Sequence, residues 1–140
     1  MTPDDPASLL ESTVRGTGRP SVTVMVCTTC RRAGDADDAP RAGAGLAEAL
    51  AAAADGAEVV LRPVQCLANC SRGPSAVLAR PGAWTYVFGG LDPAEGAVAL
   101  LEGARLLAAA PDGVMPWRGR PEALKRGLVA RVPPLLEAAP

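Results

Sequence analysis

Histidine is absent from all 140 residues. Without an imidazole the chain cannot build a Ser-His-Asp relay or a mixed cysteine and histidine zinc site. Aromatic residues are scarce too: Trp84, Tyr86, Phe88 and Trp117. No stretch approaches the roughly 18 apolar residues that span a bilayer, so no membrane partner is expected. The opening "MTPDDPAS" lacks the basic and apolar segments of a secretory signal, which makes the cytoplasm the expected compartment. An excess of either charge is missing as well. The net charge of −1 leaves no overall excess to attract nucleic acid. No "GKS" of a Walker loop occurs, and "GAGLAEAL" has no strand immediately before it, as a dinucleotide fingerprint requires. Hydrolase, kinase and dehydrogenase chemistry are set aside on these absences.

What the chain does have is length for one domain, abundant alanine and four cysteines. A domain of this size buries roughly 68–70% of its unfolded surface, so a core forms without disulfides. Residues 1–20 mix proline, glycine and charge and read as a flexible tail. "SVTVMVC" alternates β-branched and apolar residues and reads as a buried strand ending at Cys27. A Gly-, Asp- and Pro-rich loop follows, then an alanine and leucine helix from about Gly45 to Ala54, stopped by "DG". "AEVVLRPVQC" is a second strand, ending at Cys66, and a strand, helix, strand unit of this length favours parallel pairing.

"SAVLAR", "PG" and "WTYVFGG" then read as an antiparallel hairpin, with Pro81 and Gly82 in the turn. Trp84, Tyr86 and Phe88 share one strand face, which packing against the core explains better than docking. Trp84 is left as a candidate to flank the cysteine loop. "LDPAEGAVALLEGARLLAAAPDG" is the clearest helix, with Asp92 as N-cap, Pro93 at the first helical position and Glu95 in the first turn. The expected fold is α/β: βαβ followed by ββα, one four-stranded mixed sheet with flanking helices over residues 21–112. Residues 113–140 read as a basic C-terminal extension packed on or beside that domain. Within it, in "PWRGRPEALKRGLVARVPP" (116–134), Arg118, Arg120, Lys125, Arg126 and Arg131 stand against a single acid, Glu122, and Leu124, Leu128 and Val132 stand at helical spacing. The stretch reads either as a helix with its charges in water or as a docking strip for an acidic protein redox partner.

Two parallel strands end on one edge of a sheet, so Cys27 and Cys30 are expected near Cys66 and Cys70. In a reducing compartment, clustered cysteines serve as metal ligands or redox centres more often than as bridges. An iron–sulfur cluster, a tetrahedral zinc and disulfide exchange are all open to four such thiols. Zinc ribbons prefer paired C-x2-C knuckles separated by roughly 15–20 residues, whereas here the gap is longer and the second pair is C-x3-C. A dithiol enzyme places C-x-x-C where a helix begins; "CTTCRRAG" leads instead into a loop holding Asp35, Asp37 and Asp38.

"CLANCSRGPSAV" resembles the second ligand segment of the thioredoxin-like 2Fe-2S ferredoxins, with Cys66, Leu67, Cys70 and Pro74 at the matching positions. The element order is similar to theirs over about residues 21–110. This resemblance implies a thioredoxin-like fold, a 2Fe-2S cluster bound by Cys27, Cys30, Cys66 and Cys70, and one-electron transfer to a protein partner rather than catalysis. The first pair departs from that group, whose first two ligands stand further apart. "VCTTCR", "CLANC", "WTYVFG" and "PWRGRP" also resemble a small bacterial family of predicted metal-binding proteins, sometimes encoded beside cobalamin genes. That likeness implies, as the alternative, a zinc- or cobalt-binding accessory role for the same cysteines. A homodimer is compatible with the sequence.

Overall fold

Val22, Val24 and Val26 alternate with Thr23 and Met25, so one face of the segment is apolar and β-branched, and it folds as β1 (Val22–Cys27), a strand in the interior of the sheet. The computed structural model describes residues 21–32, 34–36, 38–54 and 59–134. The flexible tail expected over residues 1–20 and the chain after residue 134 lie outside the described residues. After β1 come helix α1 (Ala42–Ala53), strand β2 (Val59–Val64), a 3-10 turn (Cys70–Arg72) and the hairpin of β3 (Ala76–Ala79) and β4 (Thr85–Phe88). Helix α2 (Pro93–Ala109), the short α3 (Glu122–Arg126) and strand β5 (Leu128–Val132) complete the order.

The strands form one sheet in the order β2-β1-β3-β4-β5. β1 and β2 are parallel, as the βαβ reading expects, and the remaining neighbours are antiparallel. Register lines up the core side chains across the sheet: Val24 pairs with Leu78 and Leu78 with Tyr86, while Val26 pairs with Ala76 and Ala76 with Phe88. α1 and α2 lie against each other over this face, joining Leu46, Leu50, Leu100 and Leu107 to the same buried cluster. Pro63 sits in β2 without breaking the sheet because β2 is an edge strand. α2 starts as its sequence dictates, since Asp92 Oδ2 accepts the Ala94 and Glu95 N–H groups at 2.9 Å each and Pro93 supplies a first helical residue with no donor to lose. Among the described residues no helix is long and apolar enough to cross a membrane.

The sheet has five strands, not the expected four. Leu124, Leu128 and Val132 are four apart, a spacing that fits one face of a helix but also one face of a strand. Helix α3 stops at Arg126, and Gly127 turns the chain onto the free edge of β4, where its carbonyl accepts the Gly89 N–H at 2.8 Å. From Leu128 onward the β-branched "LVARV" pairs with β4, so this part of the basic stretch is an element of the sheet.

Candidate metal centre

β1 and β2 point the same way, so Cys27 at the end of one lies beside Val64 at the end of the other. Two threonines fasten the turn after Cys27 to the chain that leads into Cys66. Thr28 gives its N–H and its hydroxyl to the Val64 carbonyl at 2.8 and 3.2 Å, and the Thr29 hydroxyl donates to the Gln65 carbonyl at 2.5 Å. The Cys27 N–H donates to the Ser75 carbonyl at 3.0 Å, tying in the start of β3 as well. The middle of "CTTC" therefore joins the two cysteine segments, a role that spacing arguments assign to the cysteines alone.

Cys27 and Cys30 are buried together. The Cys27 thiol donates to the Gln65 carbonyl at 3.5 Å and lies 3.7 Å from Thr29 Oγ1. Burial pushes this thiol up, but bonds from Cys30 and Thr29 and from the backbone of Thr29 and Leu67 outweigh it and hold Cys27 below its ordinary value. Cys30 goes the other way. Burial raises it, and its bond to Cys27 raises it further, to about 11, against the opposing bonds from Ser75. Of the two thiols, Cys27 is thus the one whose ionisation its surroundings favour and Cys30 the one whose ionisation they oppose.

Two glycines admit the backbone segments that enclose this pair. A Cβ built on Gly43, in the first turn of α1, would stand 2.0 Å from the Cys27 carbonyl oxygen, and the Gly43 N–H donates to the Cys30 carbonyl at 2.9 Å. A Cβ on Gly73 would lie 3.0 Å from Cys30 Sγ and 2.8 Å from Cys30 Cβ. The second cysteine segment thus folds back onto the first. Asn69 Nδ2 bonds the buried Ser75 hydroxyl at 2.9 Å, which holds the bend of "CLANCSRGPS" closed.

Cys66 is exposed, and its Sγ accepts the Ala68 N–H at 3.2 Å. Ala68 adopts φ 59°, left-handed for a residue with a Cβ, and this turns its N–H back onto the sulfur. Cys70 opens the 3-10 turn, and its side chain lies outside the described part of the structure. Two of the expected ligands, Cys27 and Cys30, are thus side by side, and Cys66 stands on the adjoining loop. Among the described residues no three cysteine or carboxylate side chains form a preformed ion site.

Beside this edge a polar cleft of about 330 Å3 is lined by Arg32, Arg72, Asp92, Glu95 and Arg126, with the glycines of the β4 and α3 ends as its floor. Arg32 pairs with Asp92 at 2.7 Å. The expected basic strip is divided by the fold. Arg126 belongs to this cleft, while Arg120 is buried, donating Nε to the Pro116 carbonyl at 3.2 Å and Nη2 to the Met115 carbonyl at 2.6 Å. Arg120 is therefore no part of an exposed strip. Arg118 and Arg131 are exposed, and Lys125 is half-buried with its ammonium over the Trp117 ring. Tyr86 and Phe88 are in the core, stacked with ring centres 6.3 Å apart, as the packing reading expects. Trp84 does not flank the cysteines: it lies at the opposite end of β4 from Phe88, under the Arg131 guanidinium.

The family described as "Protein of unknown function (DUF1636)" matches residues 24–134, from the middle of β1 to beyond β5. The chain belongs to that family. No curated protein matches it. Among solved structures this DUF1636 chain is similar to a thioredoxin-like [2Fe-2S] ferredoxin from Aquifex aeolicus, at 20% identity and TM-score 0.53 over 84% of this chain and 98% of that one. A second structure, of the wild-type thioredoxin-like [2Fe-2S] ferredoxin of the same organism, matches at 16% identity and TM-score 0.51 over 79% and 97%. The fold is thioredoxin-like, as the sequence resemblance implies, with a fifth strand in this chain.

Proposed function

We propose that this protein is an electron carrier whose Cys27, Cys30, Cys66 and Cys70 hold a 2Fe-2S cluster. The observation that carries the reading is the fastening of the two cysteine segments to each other, through Thr28 and Thr29 on one side and the Gly73 approach to Cys30 on the other. The donor set fits, because it consists of cysteines on one sheet edge, with backbone groups already directed at the sulfurs of Cys27 and Cys66. Such N–H bonds, with burial and solvent access, tune the potential of thiolate-bound iron. The bound cluster would supply a reversible one-electron couple. The chain's own contribution is to keep two ligands dry, leave a third at the surface and hold the loops in register.

Disulfide exchange fits less well. Its nucleophile must be reached by a partner's disulfide, and Cys27, the thiol with the lowered value, is 0% exposed. A partner is better met on the arginine-lined cleft next to the cysteines, where Arg72 and Arg126 join Arg32. An acidic redox partner is the proposed occupant of that edge.

Protein purified anaerobically is expected to be brown, to contain iron and acid-labile sulfide in equal amounts, and to give an EPR signal on reduction. Cys66→Ser and Cys70→Ser should each lose the colour. A colourless, iron-free protein after reconstitution overturns the reading, and zinc without sulfide replaces it with the zinc or cobalt accessory role. For the cleft, Arg72→Glu should slow oxidation of the reduced protein by ferricyanide and speed it by hexaamminecobalt(III); equal rates for both oxidants in the variant and the parent would remove the docking assignment.

A further inference from the structure

The opposite end of the sheet, away from the cysteines, carries a second concavity. Helix α2 ends at Ala109, the chain turns through residues 111–117, and β5 passes alongside; between them is a cavity of about 670 Å3. Leu106 and Ala109 of α2, Val114 of the turn and Leu128 of β5 make its walls apolar. Into this lining come two guanidiniums, of Arg120 and Arg131, and the Trp117 ring, which is 60% exposed at the rim.

Arg120 is the unusual member, because it is only 8% exposed and a buried cation is costly unless it is paired. Its Nε and Nη2 are satisfied by the carbonyls of Pro116 and Met115, and its guanidinium lies 5.6 Å from the Tyr86 ring centre and 5.1 Å from that of Trp117. Those contacts engage Nε and Nη2 and bring no negative charge to the guanidinium. Among the described residues no carboxylate pairs with Arg120 or Arg131, and Nη1 of Arg120 has no hydrogen-bond partner. Asp112 also lines the cavity, with its Oδ1 taken up by the Val114 N–H at 3.1 Å. Burial disfavours a charged Arg120, the neighbouring Tyr86 relieves this only in part, and the Arg131 charge adds repulsion.

We propose that this cavity binds a small organic anion, a carboxylate carried on a compact apolar body. The carboxylate takes the free Nη1 of Arg120 and the Arg131 guanidinium, and the body covers the aliphatic walls under Trp117. Charge-assisted bonds made away from water are the strong ones, and apolar walls with a few convergent polar groups are what small-ligand sites offer. The site does not depend on what the cysteines hold.

Calorimetric titration of the full-length protein with 2-naphthoate, and with 2-naphthamide as the uncharged analogue of the same shape, tests this. Naphthoate is expected to bind at a single site about tenfold more tightly than the amide, the worth of one charge-assisted hydrogen bond. Arg131→Gln, at an exposed position, should weaken naphthoate about fivefold without moving Tm, and Ala109→Trp, which fills the cavity, should abolish binding. Failure of naphthoate to bind, equal affinity for acid and amide, or full affinity in Ala109→Trp would each overturn the proposal. Tighter binding by the full-length Leu135→Asp/Leu136→Asp variant would also overturn it, by identifying the chain's own C-terminal segment as the occupant.

Discussion

Two glycines in the first turn of α1 should respond to the same substitution with opposite signs. A Cβ on Gly43 would sit 2.0 Å from the Cys27 carbonyl oxygen, 3.1 Å from its carbon and 3.2 Å from the Cys30 nitrogen, all backbone atoms that cannot swing aside. Carbon and oxygen approach no closer than roughly 3.3 Å, so the helix start must retreat by roughly 1.3 Å. That retreat breaks the 2.9 Å bond from the Gly43 N–H to the Cys30 carbonyl, which is worth about 1 kcal/mol. Overpacking adds roughly 1–3 kcal/mol, and the gain in helix propensity from glycine to alanine returns at most about 1 kcal/mol. Gly43→Ala should therefore cost about 1–3 kcal/mol, a fall in Tm of roughly 2–12 °C for a chain of this size. At Gly45 the Cβ meets only Pro93 Cβ at 3.7 Å, an ordinary contact. Gly45→Ala should be neutral or stabilising by up to about 1 kcal/mol. Thermal melts of the metal-free, reduced proteins followed by circular dichroism measure both. A Gly43→Ala protein that melts with the parent, or a Gly45→Ala protein that falls as far as Gly43→Ala, refutes the argument that α1 is seated on the backbone of the cysteine turn.

Gly73→Ala brings a Cβ to 3.0 Å from Cys30 Sγ and 3.1 Å from the Arg31 carbonyl oxygen, so it should lift the second cysteine segment off the first at a cost of roughly 1–3 kcal/mol; metal content after reconstitution should drop, and unchanged content and Tm would contradict the contact. Tyr86→Phe removes the buried hydroxyl that accepts the Met115 N–H at 2.8 Å, and the stranded donor should cost roughly 1–3 kcal/mol in urea unfolding. Asp92→Ala should cost about 1 kcal/mol near neutral pH through loss of the α2 cap. The bond from the Glu95 N–H, then that from the Ala94 N–H and the Arg32 charge, holds the Asp92 carboxyl below its ordinary value. Its contribution is therefore complete above about pH 4 and lost as pH falls through the lowered value, so the melting curves of parent and Asp92→Ala should converge in acid; a gap that persists below pH 2 would count against the cap's charge.

The sequence and the structure agree where one periodicity excludes another. Val22, Val24 and Val26 alternate in a segment too short for a helix, and β1 forms there. Asp92-Pro93 can only begin a helix, and α2 begins there. Agreement fails at Leu124, Leu128 and Val132, because a spacing of four is common to both periods, and what decides between them is the free edge of β4, a tertiary fact. The same limit misplaced Arg120. Charge count assigns an arginine to the surface, but two carbonyls at the ends of its reach and two aromatic faces make an interior place for it that no local pattern announces.

The cysteine edge was legible in outline, since parallel strands ending at Cys27 and near Cys66 have to deliver them to one side of the sheet. What spacing could not convey is how tightly the two segments are joined. A C-x2-C pair counted along the chain looks like a self-contained knuckle. In the fold its two threonines are spent on Val64 and Gln65, its first carbonyl lies against Gly43, and its second thiol lies against Gly73. The narrow spacing is thus bound up with helix α1 at Cys27 and with the second segment at Cys27, Thr28, Thr29 and Cys30, so a change in those contacts reaches both segments. A site whose halves were independent would lose one pair of thiolates and keep the other; here Thr29→Val, which removes both the bond to the Gln65 carbonyl and the hydroxyl beside Cys27 Sγ, should lower metal retention through both segments, read as metal content after reconstitution.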